Sequence, residues 1–561
     1  MNIEECYAVE MFLLLNRSSD YVYFDGFLPP QKQDIRLSRL EGYLKQLVTF
    51  HSVYPNGLRA LPDPPKPLVI EAAHVLDSSR PVPPSFKGLP AAPFLVPTVI
   101  EALASSSFYA PMVRVVPAEA DVYCAAAARA KGGAIVTSDS DMLVHDIGPN
   151  GAVAFFNQLE LRKSFAGCTS IHVLICRPGE IAKRLALEDL RRLAFEIKKD
   201  PSAPFQGALQ RARGYKPMGI RDAHYEDFFE EYASKPLDAG PSLTSMPANA
   251  LVNPSGKWLD PRVSELVLQI AAQTKPQVKM YLPFLIDDPS RSSAWAVSSS
   301  LRRFAYSLLI FFEPEPSELR AVAEHSRKGL RVASLEVHFL TKQQSLTYAQ
   351  ALEGSFFQLH NGSELTASHH LFEAYAVYMV CQWYLENDKP RPARAAWSVL
   401  LTGAAGKTLT WMEIHLSAQL QAALYSLRML KQILRYVTMV ARADIPPLLA
   451  HLDIILADMK PIERLIPSRL EVVKENPSKL ETEGLLDAVF SLLGDGRAED
   501  PKVDADTTEG SSTPDPVPSG FTQVPSNRRK KGRVTESRAI PRVSKEPLKK
   551  PNNIYRLLAD P

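Results

Sequence analysis

The chain has 561 residues and carries 64 Lys and Arg against 62 Asp and Glu, a formal net charge of +2. This length predicts about two to four domains, and the near-neutral balance means that any phosphate-binding surface is local, not a property of the whole chain. The five scattered cysteines lack the spacing of a zinc site or a disulfide framework, and no apolar stretch reaches the roughly 18 residues of a membrane span, so we expect no membrane partner.

Residues 1–235 alternate short apolar runs with helical patterns. The predicted strands are Tyr21–Phe24, Leu68–Ile70, Met112–Val116, Ala134–Thr137, Val153–Phe156 and His172–Cys176. The predicted helices between several of them are Asp34–Phe50, Val96–Ser105 and Ala118–Ala130. Strands that alternate with helices indicate an α/β domain whose mostly parallel sheet is flanked by helices.

The chain beyond this domain changes character twice. Residues 236–256 are rich in Pro, Ser, Asn and Gly, which is typical of a linker. From 257 to 492 the apolar spacing predicts a domain that is helical throughout. Its long amphipathic stretches are Arg262–Gln273, Ser298–Phe312, Leu371–Glu386 and Trp411–Val440. Large helical domains commonly present surfaces to other proteins, so we expect a protein partner here, although fold alone does not establish one.

Residues 493–561 lose apolar periodicity and form a predicted disordered tail, because they cannot bury enough apolar surface to offset the entropy of ordering. Ten Lys and Arg side chains gather between Arg528 and Lys550. Such a cluster is typical of a nuclear localisation signal and also adds nonspecific affinity for phosphate. A solvated tail with neither role is the structural alternative. We expect a nuclear protein, with the cytoplasm as the alternative location.

Acidic residues recur where predicted strands of the first domain end. They are Asp25, Glu119, Asp121, Asp139 and Asp141. Ligands of an open parallel sheet gather at the carboxyl ends of its strands, so these carboxylates are expected to converge. Their mutual repulsion would require cations, and hard oxygen ligands suit one or two Mg²⁺ or Mn²⁺ ions.

Each acidic pair taken alone also has a purely structural explanation. Carboxylates in the first turn of a helix are favoured by the helix dipole, which accounts for Glu119 and Asp121. Asp and Ser after a strand are ordinary turn formers, which accounts for Asp139 and Asp141. The recurrence of the pattern at successive strand ends favours the metal-binding interpretation over these explanations.

The same segments resemble a known superfamily. The run Val116–Asp121, the helical Ala125–Ala130 and the run Val136–Asp146 are similar to the internal acidic motif of the flap-endonuclease, or XPG-like, nucleases. The segments Arg177–Leu190 and Ser300–Ser307 resemble its Asteroid branch, particularly fungal-looking members. The resemblance implies a PIN-like domain and a Mg²⁺- or Mn²⁺-dependent enzyme that acts on nucleic acid, DNA or RNA, with roles such as DNA repair.

The segment that contains Asp25 resembles the end of this superfamily's N-terminal motif. The resemblance implies that Asp25 is a metal ligand and that Lys32 and Arg39, at the matching spacing, contact the scissile phosphate. A solvated helix face is the structural alternative for these two cations.

Two features depart from the family pattern. The family places a strand with another acidic ligand before the helix that here corresponds to Glu4–Asn16, and this sequence shows no such strand. The family's last acidic ligand lies in a Gly-x-Asp-Tyr signature, and Asp200 occupies the corresponding position within Lys198–Pro201. The resemblance implies that Asp200 is a sixth metal ligand, and a surface Asp before Pro is the structural alternative.

Three functions therefore compete. The first is a structure-specific phosphodiesterase that uses these carboxylates with Lys32 and Arg39. The second is a binding or scaffold protein built on a degenerate nuclease fold, which the two departures and the large helical domain favour. The third is a phosphatase or another metal hydrolase, in which the helix of Lys32 and Arg39 has no clear role. His145, which follows the acidic motif, is interpreted as a surface histidine.

Overall fold

The structure is a computed structural model that describes residues 21–29, 32–59, 93–163, 169–214, 223–232, 259–272, 277–312, 319–362, 370–402, 408–441, 444–462 and 479–494. All of these lie in one compact unit, Met1–Gly496. The predicted helix at Glu4–Asn16, strand at Leu68–Ile70, linker at 236–256 and tail beyond Gly494 lie outside the described residues.

Parallel strand pairs organise the first part of the chain. Its strands are β1 (Val22–Asp25), β2 (Leu58–Arg59), β3 (Val113–Val116), β4 (Gly133–Thr137), β5 (Gly151–Phe155), β6 (Glu160–Lys163), β7 (Thr169–His172) and β8 (Ile175–Cys176). The pairs β1–β3 and β4–β5 are parallel, whereas β5–β8 and β6–β7 are antiparallel. Parallel strands need crossover connections, and helices supply them here.

The helices of this part pack against strands, against one another and against the helical part. They are α1 (Gln33–Val53), α2 (Leu95–Ser105), α3 (Ala120–Lys131), α4 (Pro178–Arg184), α5 (Arg191–Lys199), α6 (Phe205–Gly214) and α7 (Ala223–Tyr232). On α2, Val99, Ile100 and Leu103 are buried against Val113 and Val115 of β3, which is the spacing of a helical apolar face. The predicted α/β class is confirmed.

The second part is mainly helical, as predicted. Its helices are α8 (Pro261–Ala272), α9 (Ser299–Leu309), α10 (Lys342–Gly362), α11 (Leu371–Glu386), α12 (Arg394–Thr402), α13 (Trp411–Ala441), α14 (Pro447–Ala457) and α15 (Lys479–Leu492). The 31-residue α13 runs through the largest apolar cluster of the described residues. None of the helices in the described ranges is long and apolar enough to cross a membrane.

A three-stranded sheet within this part corrects the expectation that it is helical throughout. Strand β10 (Ala321–Lys328) pairs in parallel with β9 (Val278–Tyr281) and antiparallel with β11 (Arg331–His338). The prediction was wrong here because β10 buries charged residues, Glu324 and Arg327, in ion pairs. A strand with buried charges lacks the apolar alternation by which strands are recognised.

Direct contacts join the two parts. Phe94 stacks on Tyr425 of α13 with ring centroids 4.5 Å apart, and β2 pairs with β12 (Thr408–Leu409). The guanidinium of Arg428, also on α13, bonds to Glu101 of α2. The domain boundaries at 235 and 257 stay predictions, because the described residues on both sides of them pack into the same unit.

A buried ion pair holds the helical part against its sheet. Arg302 of α9 and Glu324 of β10 are 1% and 2% exposed and form a two-pronged bond, with Nε–Oε1 at 2.6 Å and Nη2–Oε2 at 2.8 Å. The hydroxyl of Tyr306 donates to the same carboxylate at 2.7 Å. Every charged atom of the pair therefore has a partner, which is the condition for a buried ion pair to be tolerated.

Arg302→Met is expected to lower the free energy of unfolding by about 3–5 kcal/mol, because it leaves the Glu324 carboxylate buried without its cation. Denaturant unfolding followed by circular dichroism measures the loss. Arg177→Met is the control, since its pair with Glu180 is solvent-exposed and such pairs contribute about 1 kcal/mol or less. Equal stability of the two variants would contradict the prediction.

Candidate functional site

Five of the predicted carboxylates lie at strand ends of the α/β part. Asp25 is the last residue of β1, and Glu119 and Asp121 begin α3 just after β3. Asp139 and Asp141 follow β4, at the short 3₁₀ helix Ser140–Leu143. Because β1 and β3 are parallel, with Asp25 opposite Val116, their carboxyl ends lie side by side.

Asp25 ties β1 to the start of α3. Its Oδ1 accepts a hydrogen bond of 2.6 Å from the backbone N–H of Ala120, one of the N–H groups that a helix leaves without an internal partner. Gly26 then turns close to β3, where its N–H donates to the carbonyl of Val116 at 2.8 Å. A Cβ at this position would lie 2.3 Å from that oxygen, so only glycine fits after Asp25.

Glu119 is paired with one of the two predicted phosphate-contacting cations. Lys32 Nζ lies 2.7 Å from Glu119 Oε1. Burial alone lowers the pKa of Lys32, but the hydrogen bond and charge of Glu119, with Glu231 and Asp121 nearby, outweigh it and raise the pKa. The ammonium is therefore charged and lies within the field of several carboxylates.

Asp121 shows that the carboxylates converge. Burial, followed by the charges of Asp25, Asp139 and Glu119, raises the pKa of Asp121 to about 6. These neighbours come from three different strand ends. Like charges that share one site disfavour ionisation of each other, and the nearby Lys32 offsets only part of this effect.

The carboxylates after β4 form a local hydrogen bond with the backbone and another with a tyrosine that is distant in sequence. Asp139 Oδ1 accepts from the backbone N–H of Asp141 at 3.0 Å. Asp141 Oδ2 accepts from the hydroxyl of Tyr232, the last residue of α7, at 3.3 Å. Burial and the charge of Asp139 raise the pKa of Asp141, although the residue keeps contact with solvent.

The end of α7 contributes residues that sequence reasoning missed. Besides Tyr232 it brings Glu231, whose charge acts on Lys32 and Asp141. His145 is only 9% exposed and lies edge-on to the Tyr232 ring, with centroids 4.9 Å apart. The interpretation of His145 as a surface residue was wrong: burial, then the charge of Lys32, lowers its pKa to about 4. In the sequence, the run of aromatic and acidic residues at 228–232 was the feature that could have indicated these contacts.

Two predicted site residues lie outside this cluster. Asp200 ends α5, is fully exposed to solvent, and accepts bonds from the Ser202 hydroxyl at 2.7 Å and N–H at 3.2 Å. Arg39 is exposed on α1. On the same helix Arg36 faces the helical part, where its Nη1 lies 2.6 Å from Glu265 Oε2.

The donor chemistry of the cluster fits a hard divalent cation. Carboxylate oxygens are the preferred ligands of Mg²⁺ and Mn²⁺, and a cation relieves the repulsion that raises the pKa of Asp121. Within the described ranges, no three acidic, His or Cys side chains already surround a single point. Ion binding therefore requires side-chain rotation, including separation of Glu119 from Lys32.

The carboxylates, with a lysine among them, lie at the carboxyl ends of parallel strands, which is where open α/β sheets bind ligands. Residues 91–339 match the family described as "XPG domain containing". The match supports a place for this chain in the XPG-like nuclease superfamily, and it includes Glu119 to Asp200 but not Asp25, Lys32 or Arg39. No curated protein and no solved structure matches the chain.

In the presence of chelator and near neutral pH, Asp121→Asn is expected to raise the free energy of unfolding by about 1 kcal/mol. Solvent screening keeps this gain below the value that the full pKa shift of Asp121 implies. The folded state binds the Asp121 proton more tightly than the unfolded chain, so ionisation above pH about 6 costs stability. The gain should disappear below about pH 4, where the carboxyl is protonated in both states.

Thermal unfolding of the wild type and the variant across this pH range measures the difference. Asp200→Asn is the matched control, because hydrogen bonds from Ser202 lower the pKa of Asp200, so this variant should show no gain. Convergence of the carboxylates is contradicted if Asp121→Asn is no more stable than the wild type near neutral pH. It is also contradicted if the gain in stability persists undiminished in acid.

Proposed function

We propose that the protein is a divalent-metal-dependent, structure-specific nuclease that hydrolyses phosphodiester bonds of DNA or RNA. One observation carries the proposal: Asp121 lies within the field of Asp25, Glu119 and Asp139, with Lys32 beside them. Mutually repelling carboxylates next to a half-buried lysine serve no evident packing purpose. Perturbed titratable groups of this kind are candidates for functional sites, and the match of residues 91–339 to the XPG-domain family supports a nuclease.

The metal ligands in this proposal are Asp25, Glu119, Asp121, Asp139 and Asp141. When bound, one or two Mg²⁺ or Mn²⁺ ions would supply activation of water and stabilisation of charge on the phosphate oxygens. Asp200 is left out, because it accepts from Ser202 and is not among the charges that raise the pKa of Asp121. The backbone N–H of Ala120 keeps Asp25 oriented toward the start of α3.

Lys32 has a specific part in this mechanism. In the structure its ammonium neutralises Glu119 at 2.7 Å. With a metal ion bound, Glu119 would be one of its ligands, and the Lys32 ammonium would then be available to bind the scissile phosphate. Arg39 lies two turns further along α1 and would contact the phosphate backbone away from the reacting bond.

This chemistry identifies only the class of substrate. A cation next to a hard-metal site recognises a phosphodiester, and the net charge of +2 requires that the attraction be local. The proposal of a structured nucleic acid as substrate rests on the resemblance to the flap-endonuclease superfamily.

Replacement of both Asp139 and Asp141 by Asn is expected to lower cleavage at least about 100-fold, the order of effect seen when one electrostatic stabiliser of a transition state is lost. The assay uses labelled flap, splayed, hairpin and single-stranded DNA and RNA, with Mg²⁺, Mn²⁺ or chelator. Asp200→Asn is the control and should cleave like the wild type. Cleavage that survives in the double variant or in chelator would overturn the proposal.

A binding module on a nuclease fold is the second candidate function. The observation that favours it is the Lys32–Glu119 ion pair, together with the lack of a preformed ligand set among the described residues. The same assay separates the two functions: a folded wild type that binds the substrates but never cuts them supports the binding module. Hydrolysis of a small phosphomonoester instead supports a phosphatase.

The basic cluster between Arg528 and Lys550 is proposed as a nuclear localisation signal. Alanine at Arg528, Arg529, Lys530 and Lys531 is expected to abolish nuclear accumulation of a fluorescent fusion of the full chain. Exchanging Arg for Lys and Lys for Arg at these four positions keeps the charge and should preserve accumulation. A wild-type fusion that stays outside the nucleus contradicts the proposal.

A further inference from the structure

Helix α7 is firmly docked on α5 by aromatic and charged contacts. The ring of Phe228 lies 5.6 Å from that of Phe195. The guanidinium of Arg191 lies 3.7 Å from the centroid of the Phe229 ring, and Lys198 Nζ is 3.4 Å from Glu231. Cation–π and ion-pair contacts on one short helix fix both its position and its rotation.

This docking directs the last residue of α7 into the carboxylate cluster. Tyr232 is 9% exposed, and its ring packs between Phe228 at 4.8 Å and His145 at 4.9 Å. Its hydroxyl donates to Asp141 Oδ2 at 3.3 Å. A phenol held rigidly by rings on both sides has little freedom to turn, so the bond restricts the orientation of the carboxylate.

The Tyr232 hydroxyl is the donor that the structure places at the Asp141 carboxylate, and a phenol hydroxyl can donate to a carboxylate. Lys32 is engaged by Glu119. The bond reaches across 91 residues of sequence, from outside the acidic motifs.

We propose that Tyr232 is a positioning residue, which orients the Asp141 carboxylate for metal binding through the hydrogen bond from its hydroxyl. The inference rests on the proposed metal site and adds to it a residue that no strand-end motif contains. Partners that orient a ligand in this way typically affect metal affinity by about 10- to 100-fold when removed.

Tyr232→Phe tests the inference, because it removes the hydroxyl and keeps the ring that packs against Phe228 and His145. Binding of Mn²⁺ to the full-length protein is measured by calorimetry and by the loss of the free-ion electron paramagnetic resonance signal at one fixed pH. The expected result is Mn²⁺ affinity about 10-fold weaker than in the wild type, with an unchanged thermal midpoint in chelator. Tyr225→Phe, two turns earlier on α7, is the matched control and should bind like the wild type.

A double-mutant cycle with Asp141→Asn separates positioning from a general structural effect. If Tyr232 acts through Asp141, then Tyr232→Phe adds no further loss in the Asp141→Asn background. An equal loss in both backgrounds overturns the inference, as does wild-type affinity in Tyr232→Phe. The proposed metal site itself fails only if the wild type does not bind Mn²⁺, so the two failures are distinguishable.

Discussion

The parallel pairing of β1 with β3 is the constraint on which the candidate site depends. It places Asp25 opposite Val116, so that a carboxylate at one strand end lies beside the two that begin α3. Gly26 permits this approach, since any side chain would collide with the Val116 carbonyl. Burial, followed by the repulsion among these carboxylates, raises the pKa of Asp121, and a divalent cation would stabilise such a site. Folding free energy must therefore come from elsewhere in the molecule, because an unliganded carboxylate cluster opposes it.

The helical part packs directly against the α/β part. Its largest apolar cluster surrounds α13, and Phe94 of the α/β part packs into the same cluster. The 4%-exposed Arg428 side chain bonds to Glu101 of α2 and to Asp260, so a single buried cation connects the two parts. Because Arg428 is buried between the two carboxylates, loss of any one of the three side chains should disturb the relative position of the two parts.

Lys32 and α7 also act on the carboxylates of the cluster. Lys32 neutralises Glu119, which lessens the repulsion without a metal and keeps a cation where phosphate is proposed to bind. Helix α7, the last helix of the α/β part in the sequence, brings Glu231 and Tyr232 to the carboxylates that follow β4. The cluster is therefore assembled from three strand ends together with α7 and with Lys32 at the start of α1.

The sequence by itself determined most of the architecture and the five carboxylates. Apolar periodicity predicted β1, β3, β4, β5 and helices α1 to α3, and it predicted Leu371–Glu386 to the residue, because local spacing dictates these elements. Helices α4 to α7 and strands β2 and β6 were not predicted, and the single strand expected at His172–Cys176 is two strands, β7 and β8. Asp25, Glu119 and Asp139 were recognisable because strand ends are marked by short-range patterns. Strand β10 escaped detection, since its buried Glu324 and Arg327 have partners that are distant in sequence.

Only the tertiary structure decided which residues share the site. It left Asp200 bonded to Ser202 in solvent, buried His145, and joined Tyr232 to Asp141. Contacts of this kind depend on how α7 docks on α5 through rings and cations, and no local pattern encodes that docking. Periodicity reports which face of an element is buried, whereas the partner of a polar side chain is chosen by packing across the whole unit.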